Sequence, residues 1–416
     1  MRMPKCLLGL AVAGALATPA SAGDLDGVWD AVIKYNGVDL PFRIEFGGDG
    51  AGFAGSYLNG DVKVNSTSGK LEGKTFHLNF DHYLTQLDGT LEGGKVDGKF
   101  QSTSSRGGDS RQSDFHAERA RPTPAAAGDV PKIAGLWELP VESPKGEKSW
   151  RFIVRQDGEE VSASILRVDG DTGTLSGRFK DGKFVLAHFS GVRPLRVEVT
   201  PNADGTLRVV QFGRPGVGKD LVAYRPEAAR AKGLPEPADF AKHTTIADPS
   251  KPFRFKLPDL DGKTVSSDDA RFKGKVIVAV VTGTWCPNCH DEAQYLVQLH
   301  KKYRDQGLEV VALDFEEIAE QESGYKRARA FIAKYGVEYP YLLGGDPVEM
   351  WVQVPQAVNL NSWPTTFFVG RDGLVKRVHS GFASPASGDF YKQATQQFDE
   401  TVRSLLAEDA TKTAAN

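Results

Sequence analysis

Two cysteines three positions apart, Cys286 and Cys289, enclose Pro287 and Asn288 and precede His290. Thiols at this spacing can bond to each other, so the pair can pass between dithiol and disulfide and carry two electrons. The reactive form is the thiolate; a free cysteine titrates near ~8.5, and a helix N-terminus lowers that value, because unpaired N–H groups and the positive end of the helix dipole gather there. The flanking residues predict such a placement. Val276 to Val281 is a continuous apolar, β-branched run, the text of a strand buried on both faces. Asp291 to Arg304 carries Tyr295, Leu296, Leu299 and Tyr303 at helical spacing. Pro287 suits a first helical turn, where its missing N–H is not needed. Cys286 is then expected at an exposed lip as the attacking nucleophile, and Cys289 one turn in as the resolving thiol.

Other chemistries use the same residues. Cys286 to His290 is also a CxxCH string, the attachment pattern of c-type haem. Two thiolates with a histidine could hold Cu(I), with His379 on a solvated strand as a further candidate. For His290 the expected place is the exposed first turn of the helix, where a protonated imidazole would lower the thiol pKa. The whole chain could also be a partner-binding module that uses the CxxC site.

The elements that position the pair follow from the later text. Leu308 to Leu313 reads as another buried strand, Tyr325 to Tyr335 as a helix with Ala328, Phe331 and Ile332 on one stripe, and Phe390 to Leu406 as a closing helix. Thr366–Val369 and Leu374–Val378 flank an Arg371-Asp372-Gly373 turn and read as a hairpin. Alternating strands and helices of this kind predict an α/β layer fold.

The rest of the 416 residues reads differently. Arg2 and Lys5, the apolar run Leu7 to Ala17, and Ala20-Ser21-Ala22 form the three parts of a secretory signal peptide over 1–22. Without it, Cys6 is lost and Cys286 and Cys289 are the only cysteines. An exported chain can build structural disulfides freely. A bridge between neighbours three apart closes too short a loop to staple much, so redox or binding explains the pair better. Net charge is −3, with no basic patch to attract nucleic acid.

From about Leu25 to Ala120 short alternating runs such as Phe42–Phe46 and Phe76–Phe80 predict strands, and Asn59-Gly60, Asp88-Gly89 and Asp97-Gly98 predict tight turns. The same text recurs 108 residues on: Gly27 and Trp29 with Gly135 and Trp137, Arg43 with Arg151, Ser68-Gly69 with Ser176-Gly177, Phe76 and Leu78 with Phe184 and Leu186. The match of Asp88–Leu91 to Asp204–Leu207 is offset by 116, which implies an insertion in the second copy. This register predicts two tandem all-β domains, each a small antiparallel barrel or sandwich, followed by an α/β domain. At the Trp29 and Trp137 positions core packing is expected. The expected boundaries are 23–120, a linker at 121–130, 131–226, a linker at 227–250, the α/β domain at 251–408, and a disordered tail at 409–416.

The segments Phe253–Lys263, Phe272–Val276, Gly283–Cys286 and Trp363-Pro364-Thr365-Thr366-Phe367 resemble the TlpA/ResA group of exported thioredoxin-like proteins, over roughly the last 155 residues and not in the β copies. The resemblance implies a thioredoxin-like domain with a redox-active disulfide at Cys286 and Cys289 and no cofactor or metal. It implies a cis-proline at Pro364, with Trp285, Trp363 and Thr365 bordering the client groove, and Glu317 as an acid exchanging protons with the cysteines. Thioredoxin's own buried acid would fall at Val280, so here the sequence departs from thioredoxin. Thiol peroxidases place a proline and a threonine before the reactive cysteine, and Ala279 and Gly283 occupy that region. The implied activity is reduction of client disulfides in the periplasm, or outside the cell, with electrons from a membrane thiol transporter and peripheral contact with membrane proteins.

Overall fold

The computed structural model describes residues 22–60, 62–102, 111–120, 129–192, 194–212, 220–316 and 321–408. The expected leader up to residue 21, the linker at 121–128, Glu317 and the tail at 409–416 lie outside the described residues.

Nine antiparallel strands between Gly27–Tyr35 and Arg111–Arg119 form one curled sheet. Alternation explains it: Trp29, Ala31 and Ile33 point inward with Phe42, Ile44 and Phe46, while Asp30 and Arg43 pair on the outer surface. The first strand pairs with the second and with the last, so the ends of the segment meet. The unpaired seam lies between Val62–Asn65 and Ser68–Glu72. It is narrow, since Ser66 N–H donates to Gly55 O and Thr67 N–H to Asn79 O, at 2.8 and 2.7 Å. The sheet is therefore a near-barrel.

The Asp-Gly turns expected at Asp88-Gly89 and Asp97-Gly98 are not turns. Both lie inside paired strands, Thr85–Glu92 and Lys95–Ser102, with Gly89 opposite Gly98. Packing requires the glycines: a Cβ on Gly98 would lie 1.9 Å from Asp88 O, and one on Gly89 would strike the Phe76 ring at 2.5 Å. The turn is made instead by Gly93 and Gly94, both at positive φ.

The second β region, Gly135–Pro140 to Leu221–Ala223, is also one curled sheet. Reciprocal Glu138–Tyr224 backbone bonds of 2.8 and 2.9 Å join its ends. Neither region is a sandwich, because each core is enclosed by a single sheet. One local arrangement recurs: Trp29 Nε1 donates to Leu25 O and Trp137 Nε1 to Ile133 O, each at 2.8 Å. Arg119 and Arg225 lie over the respective indoles. Both tryptophans are buried, as expected.

The two sheets interlock through Phe189. Its ring enters the first core, 4.2 Å from Phe42 and 4.7 Å from Tyr57 between centroids. Asn59 accepts from Phe189 N–H at 2.9 Å and donates to its carbonyl at 2.8 Å. Phe189→Ala empties this site, and losing a buried phenylalanine costs about 3–5 kcal/mol. The first denaturant-unfolding transition of the full chain is expected to move to lower concentration by that amount divided by its m-value.

The last region builds a five-stranded sheet from β1 (Val276–Thr282), β2 (Leu308–Phe315), β3 (Tyr341–Gly345), β4 (Thr365–Val369) and β5 (Val375–Ser380), in the order β3-β2-β1-β4-β5. β2 runs parallel to β1, and β4 antiparallel. The helices are α1 (Pro287–Tyr303), α2 (Gln321–Tyr335) and α3 (Asp389–Ala407). Val276, Val278 and Val280 of β1 face this helical layer; Ile277, Ala279 and Val281 face Phe253, Phe255 and Leu257 on the other side. Burial on both faces explains why β1 has no polar alternation. This is a thioredoxin-like fold.

Candidate redox site

β1 ends at Thr282, and the chain turns into α1 with Cys286 at the N-cap and Pro287 as first helical residue. The turn is tied to the end of β2. Thr284 donates through N–H and Oγ1 to Glu316, both at 2.9 Å, and Trp285 Nε1 donates to Phe315 O at 2.7 Å. Cys289 lies one turn in, its N–H on Cys286 O at 3.1 Å. Both cysteines are free thiols. Burial, and then the hydrogen bond that the Cys289 thiol donates to Cys286, push the Cys289 thiol well above its usual pKa.

The proline loop faces this pair. The Trp363–Pro364 bond is cis, and Cys286 Sγ lies 3.6 Å from Trp363 O. The Trp363 ring packs edge-on to Trp285 and Phe315, at 5.2 and 5.9 Å. Thr365 is fully buried and donates to Ser362 O at 2.9 Å, closing the loop from behind. Cys286, Cys289, Trp285, Trp363 and Pro364 are thus brought together, with Thr365 turned inward.

Several environments differ from the sequence reading. Cys286 is only 1% exposed, so the expected open lip is covered. His290 is buried rather than exposed, with Nε2 2.6 Å from Thr284 O and Nδ1 2.7 Å from Tyr335 Oη. Burial and nearby Lys334 hold its pKa well below the usual histidine range, so it is neutral and supplies no cation to the thiols. The ring of Tyr83, in a turn of the first β region, packs against it at a tilt, 4.6 Å between centroids. His379 is likewise buried, not solvated, and burial lowers its pKa to about 4. Glu317 lies outside the described residues; its neighbour Glu316 is buried and anchors the Thr284 turn.

The acid beside the thiols within the described residues is Glu292, which the sequence reading missed. It lies on α1 three residues after Cys289 and is 1% exposed. Thr366 Oγ1 donates to its Oε1 at 2.6 Å, while Oε2 is buried with no hydrogen-bond partner among the described residues. A cavity of about 10 Å³ is lined by Thr282, Cys289 and Glu292 among apolar side chains; that is the lower limit for one water. Burial raises the Glu292 pKa to about 8. A signal existed: Cys289, Glu292, Leu296, Leu299 and Tyr303 form one helical stripe, and Glu292 is its only charged member.

This shift sets a pH dependence. Between the ordinary glutamate value and about 8, the native chain holds a proton that the unfolded chain has released. The native state binds more protons there, so stability falls as pH rises through that window and levels off above it. Each pKa unit is worth about 1.4 kcal/mol. Glu292→Gln cannot ionise and is expected to flatten this slope, read as denaturant midpoints at pH 5 and pH 8.5.

A family model, the AhpC/TSA family, matches residues 250–378. Thiol-disulfide oxidoreductase ResA of Bacillus subtilis (strain 168) is 32% identical over 144 residues, covering 35% of this chain and 73% of that protein. The chain belongs to the ResA family of thiol-disulfide oxidoreductases. The ResA of Bacillus thuringiensis subsp. konkukian is 32% identical over 125 residues, 29% of this chain and 62% of that protein. Among solved structures, a thiol:disulfide interchange protein of the thioredoxin family from Chlorobium tepidum TLS is 25% identical, covering 39% of this chain and all of that one, with TM-score 0.31. A secreted disulfide oxidoreductase of Mycobacterium tuberculosis is 22% identical over 36% of this chain and 96% of that one, with TM-score 0.28. The ResA likeness covers about a third of the chain, so the two curled sheets lie outside most of it. Among the described residues no helix is long and apolar enough to cross a membrane.

Proposed function

We propose that this protein reduces disulfides of client proteins outside the cytoplasm through Cys286 and Cys289. The observation that carries the reading is the placement of Cys286 Sγ against Trp363 O at the cis-proline, with Glu292 beside Cys289. The Cys286 thiolate attacks one client sulfur, forms a mixed disulfide and releases the other client sulfur as a thiolate. Glu292, ionised, takes the proton from Cys289. The Cys289 thiolate then attacks Cys286 Sγ and frees the second client sulfur as a thiolate. Two electrons have passed to the client, its two thiolates take up the protons given up by Cys286 to solvent and by Cys289 to Glu292, and the Cys286–Cys289 disulfide remains. A second dithiol, for which a membrane thiol transporter is the natural source, must reduce it again. Trp285, Trp363 and Pro364 border the client, and Thr365 holds the loop.

The leader at 1–22 supports export, and the recurring tryptophan arrangement supports two copies of one β-barrel domain ahead of the thioredoxin-like domain at 251–408. The test is equilibration of the reduced full chain with a disulfide-bonded peptide, followed by intact mass. The expected result is loss of two hydrogens per chain, localised to Cys286 and Cys289, with two peptide thiols formed. A chain that stays reduced against an oxidising peptide excess contradicts the reading.

A further inference from the structure

The cysteine motif and the proline loop are both bonded to a distant segment of the same chain. The strand Glu160–Arg167 of the second sheet turns at Val168-Asp169 into the antiparallel pair Gly170–Asp171. This tip lies across the cysteine motif and the proline loop. Asp169 O accepts from Asn288 Nδ2 at 2.8 Å, and Asp169 Oδ1 accepts from Trp363 N–H at 3.3 Å. Gly170 bridges to Phe382 in parallel. Lys145 pairs with Asp169 and donates to Asn361 O at 2.6 Å. Asp171, buried, accepts from Ser384 N–H at 2.8 Å and from the Ser384 and Ser387 hydroxyls.

The fit is close enough to forbid a side chain. A Cβ on Gly170 would lie 2.1 Å from Phe382 O and 2.8 Å from Asn288 Nδ2, and one on Gly381 would lie 2.2 Å from Val168 O. An extended peptide gains affinity by adding main-chain hydrogen bonds to an exposed backbone edge. Here the N–H before the cis-proline and the amide inside the cysteine motif are already taken by residues 168–171.

We propose that the 168–171 tip is an internal occupant of the client groove, and that Cys286 reacts only after the tip lifts away. This rests on the reading of Cys286 as the nucleophile. The partner that displaces it is an extended, cysteine-bearing chain with an acceptor for Trp363 N–H and another for the Asn288 amide. Asp169 and Gly170 then act as positioning residues that set access to the thiol.

The experiment is iodoacetamide labelling of Cys286 in the reduced full chain, followed by peptide mass spectrometry. Wild type is expected to label roughly 100-fold or more slowly than the same chain in denaturant, as a site reached only by local opening does. Asp169→Ala removes the acceptor for Trp363 N–H and the ion pair with Lys145; Gly170→Ala wedges the tip off. Each is expected to raise the labelling rate by about 10-fold or more, with the unfolding midpoint of the second sheet retained. Asp169→Asn keeps the acceptor and is expected to stay near wild type. Unprotected labelling of wild type, or unchanged labelling in folded Asp169→Ala or Gly170→Ala, overturns the proposal. The same samples, equilibrated with the disulfide peptide, separate the two ideas. Variants that label quickly but never oxidise remove the client-reduction reading and keep the cover. Chains that all oxidise yet label equally remove the cover alone.

Discussion

Cys286→Ser is expected to abolish disulfide reduction by the full chain, a loss of at least about 100-fold in rate, because the nucleophile of the first step is gone. Cys289→Ser is expected to behave differently. Its Cys286 can still attack, but nothing resolves the product, so a mixed disulfide accumulates. The asymmetry follows from position. Cys286 caps α1 and faces the carbonyl before the cis-proline, where a client strand must lie. Cys289 is one turn deeper, buried, with its thiol pKa well raised. Non-reducing gels with a disulfide-bonded client distinguish the two: a trapped adduct with Cys289→Ser and none with Cys286→Ser. Equal trapping by both variants contradicts the assignment of roles.

Glu292→Gln is expected to slow oxidation of the dithiol by roughly 100-fold, the lower end of what a positioned proton acceptor supplies. A thiol held above its usual pKa is a poor nucleophile until a base removes its proton. Glu292 shares a small cavity with Cys289 and titrates at about 8. The wild-type rate should therefore rise with pH through that value as the carboxylate forms. In Glu292→Gln this ionisation should vanish from the profile while the Thr366 hydrogen bond is retained. A purely structural role would lower the rate without changing the shape of the profile. Rapid-mixing oxidation of the reduced chain, followed by tryptophan fluorescence because Trp285 and Trp363 flank Cys286, reads both quantities.

Some of this was legible from residue order. The β-branched run at 276–281 reads as a buried strand, the motif after it starts a helix, and the TlpA/ResA resemblance implied the cis bond at Pro364. The 108-residue register anticipated two similar β regions, and the structure gives both the same tryptophan arrangement. What was missed depends on contacts distant in sequence. Tyr83 packs on His290, and Asp169 bonds to Asn288 and Trp363 on either side of Cys286, each more than 100 positions away. Asp88-Gly89 misled because a glycine required by packing opposite Gly98 looks like one required by a turn. Glu292 was readable in principle: a charge within an apolar helical stripe must be neutralised or partnered.

Strong oxidants of the DsbA type reach about −120 mV because their reduced form is stabilised. Here the neutral His290 supplies no cation to stabilise a thiolate. The most direct test of a client-reducing role is redox titration of the Cys286–Cys289 pair in the full chain. The expected result is a single two-electron transition, about 30 mV per tenfold change in ratio, at a potential more negative than about −200 mV. A transition near −120 mV, or the absence of any two-electron step, would contradict it.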